Sequence, residues 1–369
     1  MELQGHGSPI VAMMLVRRCI ELGARMARPG EFSERAFLSG QLDLAQAEAV
    51  ADLIESSTES AARSALSALR GEFSQQVNDL VEQVTYLRIY VEAAIDFPDE
   101  EIDFLADVEV TKQLTDLKQT FTTLRASMRR GKLLRDGLKV ALVGAPNAGK
   151  SSLMNQLGRE QRAIVSDIPG TTRDTLEQHI EIDGLPVIVI DTAGIRESQD
   201  VVEAEGVRRA LNAKQEADLV IFVLDSSAEN ASSTLKEALK LIDPQQESLT
   251  VFNKVDLTPE LSVKREADAI YLSALTGDGM PLLLDAIREK AGFTDSDSSE
   301  FIARQRHIDA LDRAQAHVWK GVDQLETYQA GELLAEELKL AQHALGEITG
   351  AVSSDDLLGL IFGSFCIGK

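Results

Sequence analysis

Long stripes of apolar residues at steps of three and four mark the chain between residues 42 and 136. Leu66, Leu69, Phe73, Val77, Leu80, Val84, Leu87, Val91 and Ile95 form one series, and Val110, Leu114, Leu117, Phe121, Leu124 and Met128 a second. Such steps place side chains on one face of an α-helix. The first series predicts one long amphipathic helix ending near Phe97-Pro98, the second a helix that stops at the basic run Arg129-Arg-Gly-Lys132. The pattern then changes. Leu138-Lys-Val-Ala-Leu-Val143, Asp218-Leu-Val-Ile-Phe-Val-Leu-Asp225, Leu249-Thr-Val-Phe252 and Ala269-Ile-Tyr-Leu272 are short continuous apolar runs, which read as buried strands. His179 to Ile190 reads as two strands joined at Asp183-Gly184, a hairpin signal that adds an antiparallel strand to a parallel sheet. Pro281 to Lys290 reads as a closing helix. After a Ser/Asp-rich linker, Thr294 to Ser299, helical spacing returns with Leu311, Ala314, Val318, Val322 and Leu325 on one face.

The fold class is therefore α/β plus all-α. A mixed, mostly parallel sheet domain spanning 137–292 is inserted into a helical domain made of 41–136 and 293–369. Both helical parts carry an apolar stripe, and one shared bundle buries both. The opening 1–40 holds Gly-His-Gly-Ser-Pro and Arg-Pro-Gly turns around one apolar, helix-like run and reads as a piece of a further domain.

Composition narrows the classes. Two cysteines, Cys19 and Cys366, do not make a disulfide framework and fit a reducing cytosol, so a cytoplasmic location is expected. A formal net charge of -23 disfavours non-specific attraction to nucleic-acid backbones or anionic membranes. No apolar run reaches membrane-spanning length, and no membrane partner is expected. The acidic cluster Asp96, Asp99, Glu100, Glu101 and Asp103 reads as a solvated connection rather than a metal site.

The chemistry sits in the inserted domain. Gly144-Ala-Pro-Asn-Ala-Gly-Lys-Ser151 has the spacing of a phosphate-binding loop, between a strand and the helical Ser151-Ser-Leu-Met-Asn-Gln-Leu157. Asn147, Ala148, Gly149, Lys150, Ser151 and Ser152 can surround phosphate: backbone amides point inward, Lys150 adds charge, and the Ser151 hydroxyl suits Mg2+. Asp191-Thr192-Ala193-Gly194 follows a strand, where a carboxylate can hold Mg2+ through water and Gly194 can offer its amide. Asn253-Lys254-Val255-Asp256 follows another, and the Asp256 carboxylate can accept two hydrogen bonds from guanine, a donor pair that adenine lacks. Ser273, Ala274 and Leu275 form a backbone clamp for the base. In that order the set predicts a GTP-binding domain. Thr171 and Thr172 lie in a Gly/Pro-punctuated segment where a switch loop belongs, and one of them should complete the magnesium shell. Ile195 stands where many GTPases carry the glutamine that orients water, so Glu197, Asp200 or Glu203 must supply that function.

On these motifs, together with Gly170-Thr-Thr-Arg-Asp174, the interrupted helical domain and the C-terminal Phe365-Cys-Ile-Gly-Lys369, the chain resembles the MnmE (TrmE) family of tRNA-modifying GTPases along essentially its whole length. The resemblance implies GTP hydrolysis in concert with the flavoprotein MnmG, building an aminomethyl-type (carboxymethylaminomethyl) group at C5 of the tRNA wobble uridine. It implies a homodimer, a tetrahydrofolate derivative as carbon donor, and K+ doing the work of an arginine finger when two nucleotide domains meet. Matching positions give Asn147, Ser166, Ile168 and Thr171 to K+, Ser151 and Thr172 to Mg2+, and Glu203 to the attacking water. The resemblance also implies a role for Cys366 in tRNA modification and a folate near Glu2, Gln41 and Lys369, with Gln41 where a lysine is common. By the same resemblance, residues 1–40 are expected to correspond to the last portion of the family's folate-binding N-terminal domain. The rival reading is a binding switch, such as a ribosome-assembly GTPase, which the C-terminal tail and interrupted helical domain disfavour.

Overall fold

The computed structural model describes residues 3–96, 108–160, 162–163, 177–191, 217–228, 246–258, 260–293, 301–328, 330–352, 355–363 and 365. Its helices are α1 (Pro9–Glu21), α2 (Glu31–Leu38), α3 (Leu44–Glu55), α4 (Glu59–Leu69), α5 (Glu72–Asp96), α6 (Val108–Asp136), α7 (Lys150–Glu160), α8 (Met280–Lys290), α9 (Gln305–Tyr328), α10 (Gly331–Thr349) and α11 (Asp355–Gly363). The strands are β1 (Leu138–Val143), β2 (Arg162–Ala163), β3 (Glu177–Ile182), β4 (Leu185–Asp191), β5 (Leu219–Asp225), β6 (Glu247–Asn253), β7 (Lys264–Glu266) and β8 (Ala269–Tyr271). The acidic run 99–103, the linker 294–299 and the switch segment 167–174 lie outside the described residues.

Helices from both ends of the chain share one core. Phe73, Leu80, Leu87 and Val91 of α5 and Phe121 and Met128 of α6 pack with Leu311, Val318 and Leu325 of α9 and Leu338 and Leu345 of α10. Phe301 stacks on Phe73 with ring centroids 4.6 Å apart. The bundle expected from the apolar stripes is present, and two details differ from the periodicity.

The first stripe is two helices. It breaks at Arg70-Gly71, where Gly71 has φ +90° and its amide bonds back to Ala68 O at 3.0 Å. Leu69 packs against the same core as Phe73, so the spacing runs through the break, whereas Leu66 is exposed and α4 buries Ala61, Ala65 and Ala68 instead. A side chain at Gly71 would also meet Gln46, whose Nε2 donates to Leu69 O at 3.0 Å and so satisfies a terminal carbonyl of α4. Conversely, α6 does not stop at Arg129-Arg-Gly-Lys132 but continues to Asp136. Gly131 lets the returning chain cross the helix: a Cβ there would lie 2.4 Å from Phe301 O and 2.9 Å from Ala303 N. The glycine serves packing, not termination.

The sheet order is β2-β3-β4-β1-β5-β6-β8-β7. Its centre, β4-β1-β5-β6-β8, is parallel, and β2, β3 and β7 join antiparallel at the edges. The β3–β4 hairpin turns at Asp183 (φ 47°) and Gly184 (φ 88°), the left-handed pair of a tight two-residue loop. That hairpin touches the helical part: Thr58 Oγ1 caps α4 by accepting from Ala61 N and donates to Gly184 O, both at 3.1 Å. Ile361, Phe362 and Phe365 pack with Leu44 and Phe37, fixing α11 on α2 and α3. Among the described residues, no helix is long and apolar enough to cross a membrane.

Candidate nucleotide-binding site

The strand β1 lies between β4 and β5, buried at Val140, Ala141 and Leu142. Ligands of parallel sheets collect at the carboxyl ends of the strands. At that edge the chain leaves Val143 into the loop 144–149 and enters α7 at Lys150. Two glycines fix the loop. A Cβ on Gly144 would stand 2.2 Å from Val223 O of β5, so the loop begins in contact with the neighbouring strand. Gly149 has φ +97°, and a Cβ there would lie 2.1 Å from Asn253 Nδ2. Asn147 is also left-handed, at φ 63°. The loop thus curls with the first amides of α7 at its rim, the arrangement that attracts anions.

Asn253, only 2% exposed, joins three segments. Its Nδ2 donates to Ala148 O and its Oδ1 accepts from Ala274 N, both at 2.9 Å. The phosphate loop, the end of β6 and the Ser273-Ala274-Leu275 turn are one hydrogen-bonded unit. Ser273 is buried, accepting at its Oγ from Thr276 N at 3.3 Å, whereas Leu275 is exposed. Asp256 lies exposed in a single 3-10 turn, Val255–Leu257. Lys150 is buried, with its Nζ donating to Gly144 O at 2.7 Å and Ala145 O at 2.9 Å. Ser151, Ser152 and Asn147 are exposed at the rim. Asp191 ends β4 opposite Leu142, so the backbone register sets it beside the start of the loop.

One participant, Asp225, escaped the sequence reading. Lys254, at φ 68°, donates from Nζ to Asp225 Oδ2 at 2.6 Å. Asp225 Oδ1 accepts from Ser227 N at 3.0 Å and Ser227 Oγ at 2.6 Å. Burial pushes this carboxyl up, but the donors from Lys254 and Ser227 outweigh it and hold it below its ordinary value. An aspartate closing a strand two residues before a serine is too common a pattern to have pointed here.

The structure brings Asn147, Ala148, Gly149, Lys150, Ser151, Ser152, Asp191, Asn253, Lys254, Asp256, Ser273, Ala274 and Leu275 to one sheet edge. Gln41 is elsewhere, exposed after α2 with its amide bonded to Ala36 O at 2.9 Å. Glu2, Ser166, Ile168, Thr171, Thr172, Thr192, Ala193, Gly194, Glu203, Cys366 and Lys369 lie outside the described residues.

Residues 44–366 match the family described as MnmE helical domain, and residues 1–41 match the GTP-binding protein TrmE N-terminus. The chain is 54% identical over 377 residues to the tRNA modification GTPase MnmE of Ectopseudomonas mendocina, a match covering all of this chain and 83% of that protein. The protein of the same description from Stutzerimonas stutzeri is 54% identical over 376 residues, with the same coverage. That of Yersinia pestis is 52% identical over 376 residues, again across all of this chain and 83% of the relative.

Proposed function

The chain belongs to the MnmE family of tRNA modification GTPases, and from that premise we propose that it hydrolyses GTP, together with the flavoprotein MnmG, in adding a carboxymethylaminomethyl-type group to C5 of the tRNA wobble uridine. The observation that carries the nucleotide part is the Asn253 junction, which ties a glycine-cradled phosphate loop to the two segments suited to a guanine base.

The chain's own residues act as follows. The Lys150 ammonium, held against Gly144 O and Ala145 O, passes to the phosphate oxygens, which attract it more strongly than neutral carbonyls. Amides of the loop and of the first turn of α7 orient the phosphates. Asp256 accepts from guanine, and Ser273, Ala274 and Leu275 line the base. Glu203 orients the attacking water in place of the glutamine that Ile195 displaces.

The exposed oxygen donors at the loop rim fit hard cations. Ser151 and Thr172 would hold Mg2+, with Asp191 nearby, and Asn147, Ser166, Ile168 and Thr171 would hold K+. When bound, these cations supply positive charge to the transferring phosphoryl group. The rest of the reading comprises a homodimer that pairs its nucleotide domains, a cytoplasmic location, Cys366 acting in the modification, and a tetrahydrofolate derivative near Glu2, Gln41 and Lys369. Its division of the chain is 1–40, 41–136, 137–292 and 293–369.

The test is GTP turnover by the purified chain in K+ against Na+ at matched ionic strength, with Asn147→Ala in parallel. We expect K+ to accelerate turnover strongly and Asn147→Ala to abolish the difference. Equal rates in the two salts would remove the K+ assignment; no turnover in either would remove the GTPase reading.

A further inference from the structure

Strands β5 and β6 stay paired to their last residues, Asp225 opposite Asn253, and Ser226 N donates to Asn253 O at 2.9 Å just beyond. The two strand ends are therefore locked together. From there the chain must turn within one residue, because the Asn253 side chain faces Ala148 and Ala274 while Asp256 emerges exposed on the 3-10 turn. That turn is made at Lys254, in the left-handed region at φ 68°, which residues with side chains rarely adopt and which is retained where neighbours over-determine it.

Lys254 has such a neighbour on the adjacent strand. Its Nζ lies 2.6 Å from Asp225 Oδ2, with both side chains about a quarter exposed. Asp225 is itself immobilised, since its other oxygen accepts from the amide and hydroxyl of Ser227. An aspartate free to rotate could not anchor the lysine; this one has a single orientation. The ion pair thus adds a side-chain tie across the strand ends to the backbone bonds of the turn, among them Val255 N to Leu272 O at 3.3 Å.

We propose that Asp225 is a positioning residue for the nucleotide: by anchoring Lys254 Nζ it holds the left-handed turn that aims the Asp256 carboxylate at the guanine edge. The inference rests on the guanine-nucleotide reading, and it predicts an effect on base discrimination that a merely stabilising ion pair would not have.

The experiment titrates fluorescent GDP and fluorescent IDP, which lacks the exocyclic amine, into the wild-type chain, Asp225→Asn and Asp225→Ala, with melting of each nucleotide-free protein alongside. We expect GDP affinity to fall about 10-fold in Asp225→Ala and less in Asp225→Asn, whose amide oxygen can still meet Ser227. The GDP-over-IDP preference should shrink in both, and the Michaelis constant for GTP should rise more than the turnover number falls. GDP affinity within twofold of wild type in both variants overturns the proposal. So does an equal loss for GDP and IDP, or a loss that tracks a lowered melting temperature of the nucleotide-free protein. Failure of the wild-type chain to bind GDP would instead overturn the guanine-nucleotide reading beneath it, and the inference with it.

Discussion

Replacing Glu48 by alanine removes the acceptor at the centre of a buried charge network in the helical part. Glu48 is 1% exposed and accepts from Arg306 Nε at 2.8 Å, Arg306 Nη2 at 2.6 Å and His307 Nε2 at 3.0 Å. His307 Nδ1 accepts the Arg304 amide at 3.1 Å, which places the ring proton on Nε2 and keeps the imidazole neutral. One turn along α3, Asp52 binds Arg135 Nε at 2.9 Å and Arg304 Nη2 at 2.6 Å, joining the end of α6 to the approach to α9. In Glu48→Ala, Arg306 retains only the carbonyls of Glu347 and Ile348, with no counter-charge. Removing one partner of a buried pair costs about 3–5 kcal/mol. At roughly 2–4 °C per kcal/mol for a unit of this size, the melting temperature should fall by about 10 °C. Differential scanning calorimetry and urea midpoints measure this directly, and a variant melting within 2 °C of wild type would refute the reasoning.

The same network sets a pH dependence. Burial alone would raise the Glu48 carboxyl, but His307 and Arg306 outweigh it and hold it well below the usual range. Burial pushes His307 down, helped by Arg306 and opposed by Glu48. Both folded values lie below their unfolded ones, so the unfolded chain takes up protons first as pH falls. Stability from His307 is complete above about pH 6.5 and declines below it; that from Glu48 is complete above about pH 4.3 and is lost as pH drops further. Glu48→Ala should flatten the acid limb of the stability profile relative to wild type.

Two further substitutions use the same steric logic. Gly149→Ala puts a Cβ 2.1 Å from Asn253 Nδ2 at a φ of +97°, so the Asn253 junction must open; GDP affinity should fall about 10- to 100-fold, and an unchanged titration would contradict the cradle described here. Gly131→Ala should gain about 1 kcal/mol of helix propensity but lose more to the clash with Phe301 O, for a net destabilisation of roughly 2 kcal/mol by urea denaturation; a stabilised variant would refute the crossing argument.

Much of the candidate site was legible because the chemistry it would perform calls for residue types at fixed spacings. Gly144, Gly149 and Lys150 announce a phosphate loop, and Asn253 and Asp256 announce a base site, since few other residues could do those jobs. The central strands were legible as uninterrupted apolar runs, as Leu219 to Leu224 are all buried. What escaped depended on contacts between distant segments. The break at Gly71 hides because apolar steps run through it, and Gly131 looked like a helix stop because its crossing partner, Phe301, is far along the chain. Glu48 meets His307 across 259 positions, and Asp52 meets Arg135 across 83, separations at which pairing leaves no local pattern. Asp225 was missed for a related reason: its partner Lys254 lies just past the end of the neighbouring strand, and the pairing is visible only in the turn made there.

The shared core of α5, α6, α9 and α10 also has a history in the order of synthesis. Phe73, Leu80 and Phe121 leave the ribosome long before Leu311, Leu338 and Leu345, because everything from β1 to α8 is made in between. During that interval α5 and α6 expose an apolar face that nothing yet covers, so a nascent chain stalled there is a substrate for holdase chaperones or for aggregation. The inserted domain, whose sheet is complete at Tyr271 and whose last helix ends at Lys290, can fold first. Once folded, it replaces a long slack loop with a short tether and lowers the entropic cost of closing the bundle by on the order of 2 kcal/mol. The crossing of α6 at Gly131 by the chain returning through Phe301 is where that closure is sealed. In a growing polypeptide the order of synthesis thus favours closing the bundle around an inserted domain that is already compact.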